Sequence, residues 1–229
     1  MAKIKCSPRK IAAYCILLIG IPLAVLLFYR EQYAVISVII AFGACVPFFL
    51  AFERKKPLAR EAVLLAVMVA LTVAGRVAFA LLPSFKPVTA LVVIAALYFG
   101  PEAGFLTGAL SAFLSNIYFG QGPWTPFQMF AWGLVGFIAG LLRTPLKKHL
   151  LLLLLYGTLA GVAFSMLMDI YTVLSFGQGF QLARYGAVLI SALPITAVYA
   201  VSNVVFLLVL QPTLGRVLTR IKKRYGLET

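Results

Sequence analysis

The side chains of this 229-residue chain best suited to grip a small molecule collect around one stretch, Gly120-Gln121-Gly122-Pro123-Trp124-Thr125-Pro126-Phe127-Gln128. Asn116, Gln121 and Gln128 supply amides, which both donate and accept hydrogen bonds. Tyr118, Trp124 and Trp132 supply aromatic walls with a polar tip. Arg76, Lys86 and Asp169 are the charged candidates, because an ionised group within an apolar setting is costly unless it binds something. Arg76 and Asp169 either face a ligand or pair with each other. This chemistry is binding by stacking and hydrogen bonding, with no group poised to break a bond. Thr125 with Gln128 reads as a capping box, with Pro126 at the first helical position. The alternative is a well-capped turn that only sets helix spacing.

Catalytic signatures are missing. There is no phosphate-cradling Gly-x-x-x-x-Gly-Lys-Ser/Thr run, so the chain is not expected to hydrolyse ATP itself. There is no His-Glu-x-x-His and no Gly-x-Ser-x-Gly. One histidine, His149, and one aspartate within the apolar runs fall short of a metal site. No catalytic residue, metal or cofactor is expected. Glu102 suits the dipole at a helix start rather than catalysis.

The elements that must position these groups are membrane helices. The chain is 63% hydrophobic and 11% charged, far from a soluble domain. We expect an all-α integral membrane protein with eight spans, about Ile11–Tyr29, Tyr33–Phe52, Glu61–Leu82, Val88–Phe99, Ala103–Phe119, Phe127–Leu142, Leu150–Tyr171 and Tyr185–Leu210. The first reads as a retained helix rather than a cleaved signal peptide, since no small-x-small site follows it. Residues 1–58 form an N-terminal hairpin with a basic linker, and 59–229 the main domain with a basic tail. Cys6, Cys15 and Cys45 read as small apolar packing residues.

The net charge of +14 sits in loops and ends, a membrane-orientation pattern rather than a nucleic-acid surface. Arg54 to Arg60, Arg143 to Lys148 and the tail from Arg216 to Arg224 fall on one side; only Arg30, Lys86 and Arg184 fall on the other. The positive-inside rule then puts both termini in the cytoplasm of a multi-pass plasma-membrane protein, with the central loop outward. Ala62, Ala66, Ala70, Ala74 and Ala78 recur every four residues and make a narrow stripe of small side chains, suited to close helix contact either inside the bundle or with a partner. Gly104, Gly108 and Ala112, then Gly136 and Gly140, then Gly157, Gly161 and Ser165 make further stripes.

Gly75-Arg76, Lys86-Pro87-Val88-Thr89-Ala90, Gly100-Pro101-Glu102-Ala103-Gly104-Phe105, Ser115-Asn116, the Gly120–Pro126 block and Trp132-Gly133 together resemble the substrate-binding S component of an energy-coupling factor (ECF) vitamin transporter. The likeness covers about 59–211. It implies a six-helix core, to which the first two spans are an addition. It also implies docking of Ala62, Ala66, Ala70 and Ala74 on a transmembrane coupling subunit, two cytoplasmic ATPases in the full complex, and a subunit that topples in the bilayer to carry its ligand inward. A vitamin-like small molecule is then the cargo. The loop block most resembles the cobalamin-type members, which points to cobalamin or a corrinoid precursor held in an open bowl; riboflavin or another heterocyclic vitamin precursor, in a narrower pocket closed by Trp124, is the alternative. Two readings of other classes compete. A membrane-embedded enzyme acting on lipid or prenyl substrates lacks the acidic motif it needs, and a pure scaffold leaves the polar cluster unexplained.

Overall fold

A computed structural model describes residues 33–54 and 59–225, all helices and short connections. The helices are α1 (Tyr33–Arg54), α2 (Ala59–Ala78), α3 (Val88–Phe99), α4 (Pro101–Phe119), α5 (Thr125–Leu141), α6 (Arg143–Lys148), α7 (Leu150–Ser175) and α8 (Leu182–Tyr225). The expected first span, Cys6, Cys15 and the domain boundary near residue 58 lie outside the described residues. Among those described, α2, α7 and α8 are long and apolar enough to cross a bilayer. The second to eighth expected spans each appear as a helix; α6 is a short addition where a basic loop was expected.

The bundle is built around α3. Its twelve residues are too few for a span, since they rise only about 18 Å. They are also hydrophobic all round, and Val88 to Tyr98 are all buried, so α3 is covered by protein instead of meeting lipid. α2, α4, α5 and α8 enclose it. α1 joins the same core: Phe48 is buried and stacks on Phe105 of α4 at 3.8 Å. Cys45 is buried beside it, as a packing residue.

The glycine stripes are internal. A Cβ on Gly136 of α5 would lie 2.2 Å from the Gly104 carbonyl oxygen of α4, and one on Gly104 would lie 2.5 Å from the Gly136 oxygen. Backbones this close admit only glycine on either side, and they fix the loop that joins α4 to α5. On α7, Gly157 and Gly161 let α8 approach through Asn203 and Leu207, and Asn203 donates to the Gly157 carbonyl at 2.9 Å. The alanine stripe behaves differently. Ala62, Ala66, Ala70, Ala74 and Ala78 are all exposed on α2, flanked by exposed Val63, Val67 and Leu71.

α8 runs on past its expected end at Leu210 to Tyr225, through Pro194 and Pro212. At 1.5 Å per residue its 44 residues span about 66 Å, roughly twice a hydrocarbon core. The extension is helical because Leu214 and Leu218 still have core to bury against, beside Tyr98 and Leu146.

Candidate ligand-binding site

Arg76 lies in the last turn of α2 and is only 8% exposed. Its Nη1 donates to Ser115 Oγ (2.5 Å) and Asn116 Oδ1 (2.8 Å), both on α4. The Asn116 amide then donates to Thr125 Oγ1 (2.9 Å) and Gln128 Oε1 (2.8 Å) on α5. One polar chain thus ties the ends of three helices together, and each buried donor or acceptor in it is satisfied by the next. The guanidinium also sits 4.6 Å from the Phe119 ring and 5.0 Å from the Trp132 ring, where aromatic faces attract a cation.

Lys86, in the turn between α2 and α3, places its Nζ 4.9 Å from the centre of the same Phe119 ring. Burial, and then the Arg76 charge, hold its ammonium below the ordinary lysine pKa. Ser202 of α8 pins this turn by donating to the Lys86 carbonyl at 3.1 Å. Ser84 in the same turn has φ 59, an uncommon value for a residue with a Cβ.

These groups border a cavity of about 110 Å³, lined by Arg76, Ser84, Lys86, Gln128, Trp132, Phe164 and Tyr199 with Val88 and Thr89 at its base. Trp132 and Phe164 are stacked at 4.7 Å with planes 10° apart, and Tyr199 meets Phe164 edge-on. The described lining therefore offers two cations, amide and hydroxyl partners, and flat aromatic walls, with no carboxylate. The chemistry of this lining suits a planar ring that carries carbonyl or other acceptor atoms.

Of the expected site residues, Arg76, Lys86, Gln128 and Trp132 line the cavity, and Asn116 stands directly behind it. Gln121 does not reach it. Its amide donates to the Phe113 carbonyl and accepts from Thr125, bracing the α4–α5 loop. Trp124 covers Gly122 at the protein surface, and Tyr118 is 67% exposed against Phe119. Asp169 is buried on α7 outside the cavity lining; its Oδ2 finds no hydrogen-bond partner among the described residues, and no ion pair joins it to Arg76. The capping box does not form. Trp124 takes the cap position, Thr125 begins the helix, and the Gln128 backbone bonds to Trp124. Thr125 and Gln128 spend their side chains on Asn116 instead. Phe119, Phe164, Tyr199 and Ser84 also stand at the cavity or against its cations, and were not among the expected residues. Phe164 and Tyr199 lie within apolar runs where nothing local marks them; Phe119 adjoins the polar helix end and was the one within reach.

The remaining charge lies elsewhere. Arg60 packs on Tyr225, Lys147 on Tyr98, and Lys222 donates to the Tyr98 carbonyl, so the basic segments meet around the end of α3 away from Lys86. Neither a curated protein nor a solved structure matches the chain. A family model described as ECF-type riboflavin transporter, S component, matches residues 57–220, more than two thirds of the sequence. Members of this family are transport subunits rather than enzymes; they bind a vitamin in the membrane and work with a coupling subunit and ATPases. With an all-helical, multi-pass membrane fold and a polar cavity at one end of its bundle, the chain belongs to the S components of ECF-type vitamin transporters.

Proposed function

We propose that the chain captures riboflavin, or a vitamin precursor with a similar flat heterocycle, in the Arg76 cavity on the outer side of the plasma membrane. The observation that carries this reading is the aromatic wall of Trp132, Phe164 and Tyr199 set beside the Arg76 guanidinium. A planar ring stacks on the wall while its carbonyl oxygens accept from Arg76, Lys86 or Gln128. The family description favours the same substrate. The small enclosed volume favours it over the corrinoid suggested by the loop block, which needs an open bowl. A flavin still exceeds about 110 Å³, below the usual range of ligand pockets, so binding requires the Ser84–Lys86 turn to swing away from Trp132. Ala62, Ala66, Ala70 and Ala74 form the coupling-subunit surface, and the six helices α2 to α5, α7 and α8, which bear the site and this surface, form the transport unit.

Titration of the purified subunit with riboflavin, cobalamin and cobinamide tests the assignment. Stacking on Trp132 should quench flavin fluorescence strongly, and neither corrinoid should compete. Binding of a corrinoid with no response to riboflavin would overturn it.

The orientation follows from the charge asymmetry, with both termini in the cytoplasm. In intact cells, a cysteine placed at Gly122 should react with an impermeant maleimide added outside, and one at Lys148 should react only after the membrane is opened. The reverse pattern would reject the assignment.

A further inference from the structure

At the basic end of the bundle, α8 folds over the end of α3 and leaves a groove of about 770 Å³ between them. Its described lining holds Arg216, Arg220 and Lys223, the Tyr98 ring and the Thr219 hydroxyl, and no carboxylate. The groove is a built feature of the fold. Gly215 permits the contact, because a Cβ there would lie 2.5 Å from the Tyr98 hydroxyl. Lys222 fastens it by donating to the Tyr98 carbonyl at 2.8 Å, a cation on the C-terminal end of α3. Lys147 of α6 adds a further cation nearby, 4.2 Å from the Tyr98 ring.

From this geometry we infer that the groove is a binding site for the phosphate headgroup of an anionic phospholipid. Positive charge is crowded here. Burial, with Lys222 and Arg143 nearby, pushes Lys147 down to about 8, and a bound anion would relieve that crowding. Depth favours a lipid over a free anion. The apolar run of α8 ends at Leu210, and the groove begins at Gln211, the level where headgroups sit. Stepping back along the same helical face from Arg216 and Pro212 leads to Leu208, Val205 and Val201, all exposed and apolar. An acyl chain lying on that face delivers its phosphate to Arg216 and Arg220. Guanidinium forks suit phosphate oxygens, and basic pockets between membrane helices recur as headgroup sites.

Native mass spectrometry of the full chain, released from mixed micelles of phosphatidylglycerol and phosphatidylcholine, tests this. Phosphatidylglycerol adducts should exceed phosphatidylcholine adducts at least fivefold. The triple substitution Arg216→Gln, Arg220→Gln, Lys223→Gln should remove that preference while leaving riboflavin binding and the lipid-free Tm unchanged. Where the triple variant fails to fold, the single substitution Arg220→Gln, at an exposed groove position, should at least halve the preference, and an unchanged preference there would overturn the inference. Equal retention of the two lipids, or an undiminished preference in a folded triple variant, would overturn the inference. Loss of the preference on adding millimolar inorganic phosphate would assign the groove to a free anion instead. A triple variant that keeps the lipid preference but no longer co-purifies with the coupling subunit would make the groove a protein interface.

Discussion

Arg76→Met should weaken vitamin binding by about a hundredfold or more while leaving the bundle folded. Two losses add. The ligand loses a cation at the cavity wall, and hydrogen bonds to charged groups contribute roughly 1.5–3 kcal/mol each. Asn116 loses the donor to its Oδ1, so the amide that holds Thr125 and Gln128 is free to turn away from them. At about 1.4 kcal/mol per factor of ten, either loss alone exceeds tenfold. Arg76→Lys should fall between. It keeps the charge, but a single ammonium on a flexible stem cannot span Ser115, Asn116 and a ligand as a planar fork does. Equilibrium titration by flavin fluorescence, with thermal unfolding as the folding control, reads both variants. Wild-type affinity in Arg76→Met would move the site away from this cavity.

The helices were legible because a membrane span must be a run of apolar residues that satisfies its own backbone. That is why six of the seven expected spans with described residues match helices closely, and why α8 overran furthest: an amphipathic extension such as Leu214 to Lys222 hides within what reads as a basic tail. The lining of the candidate cavity was half legible for a related reason. Arg76, Lys86, Asn116 and Gln128 stand out as polar groups among apolar ones, so composition finds them. Their partnership does not show, since Arg76 and Asn116 are 40 residues apart and meet only through helix packing. Phe164 and Tyr199 look like any other apolar filler along α7 and α8. Tyr118 lies two residues from Asn116, a turn of about 200° along the helix, and stands outward at 67% exposure. Gln121 and Thr125 carry the right chemistry and use it on the loop itself.

The small-residue stripes show most clearly what sequence leaves open, because glycines or alanines spaced by four read alike whether they face inward or outward. Packing separates them, and the difference yields a paired expectation. Gly136→Leu should prevent folding. Its first carbon already collides with the Gly104 backbone at 2.2–2.5 Å, and backbone does not yield as a flexible side chain does. The cost should exceed the about 1–3 kcal/mol of ordinary overpacking, seen as loss of the monodisperse protein on size-exclusion chromatography. Ala66→Leu meets nothing comparable, since Ala66 is exposed between Val63 and Ala70 on the outer face of α2. The isolated subunit should keep its Tm and its affinity for vitamin. Uptake in cells should nonetheless fall at least tenfold, because a leucine at the centre of the stripe holds a docking helix off by a side chain's width, where association depends on close van der Waals contact. Substituting Val63→Leu, on the flank of the stripe, should cost little. If Ala66→Leu lowered binding and uptake together, the stripe would belong to the subunit's own folding. If it left uptake intact, the coupling subunit would dock on another face.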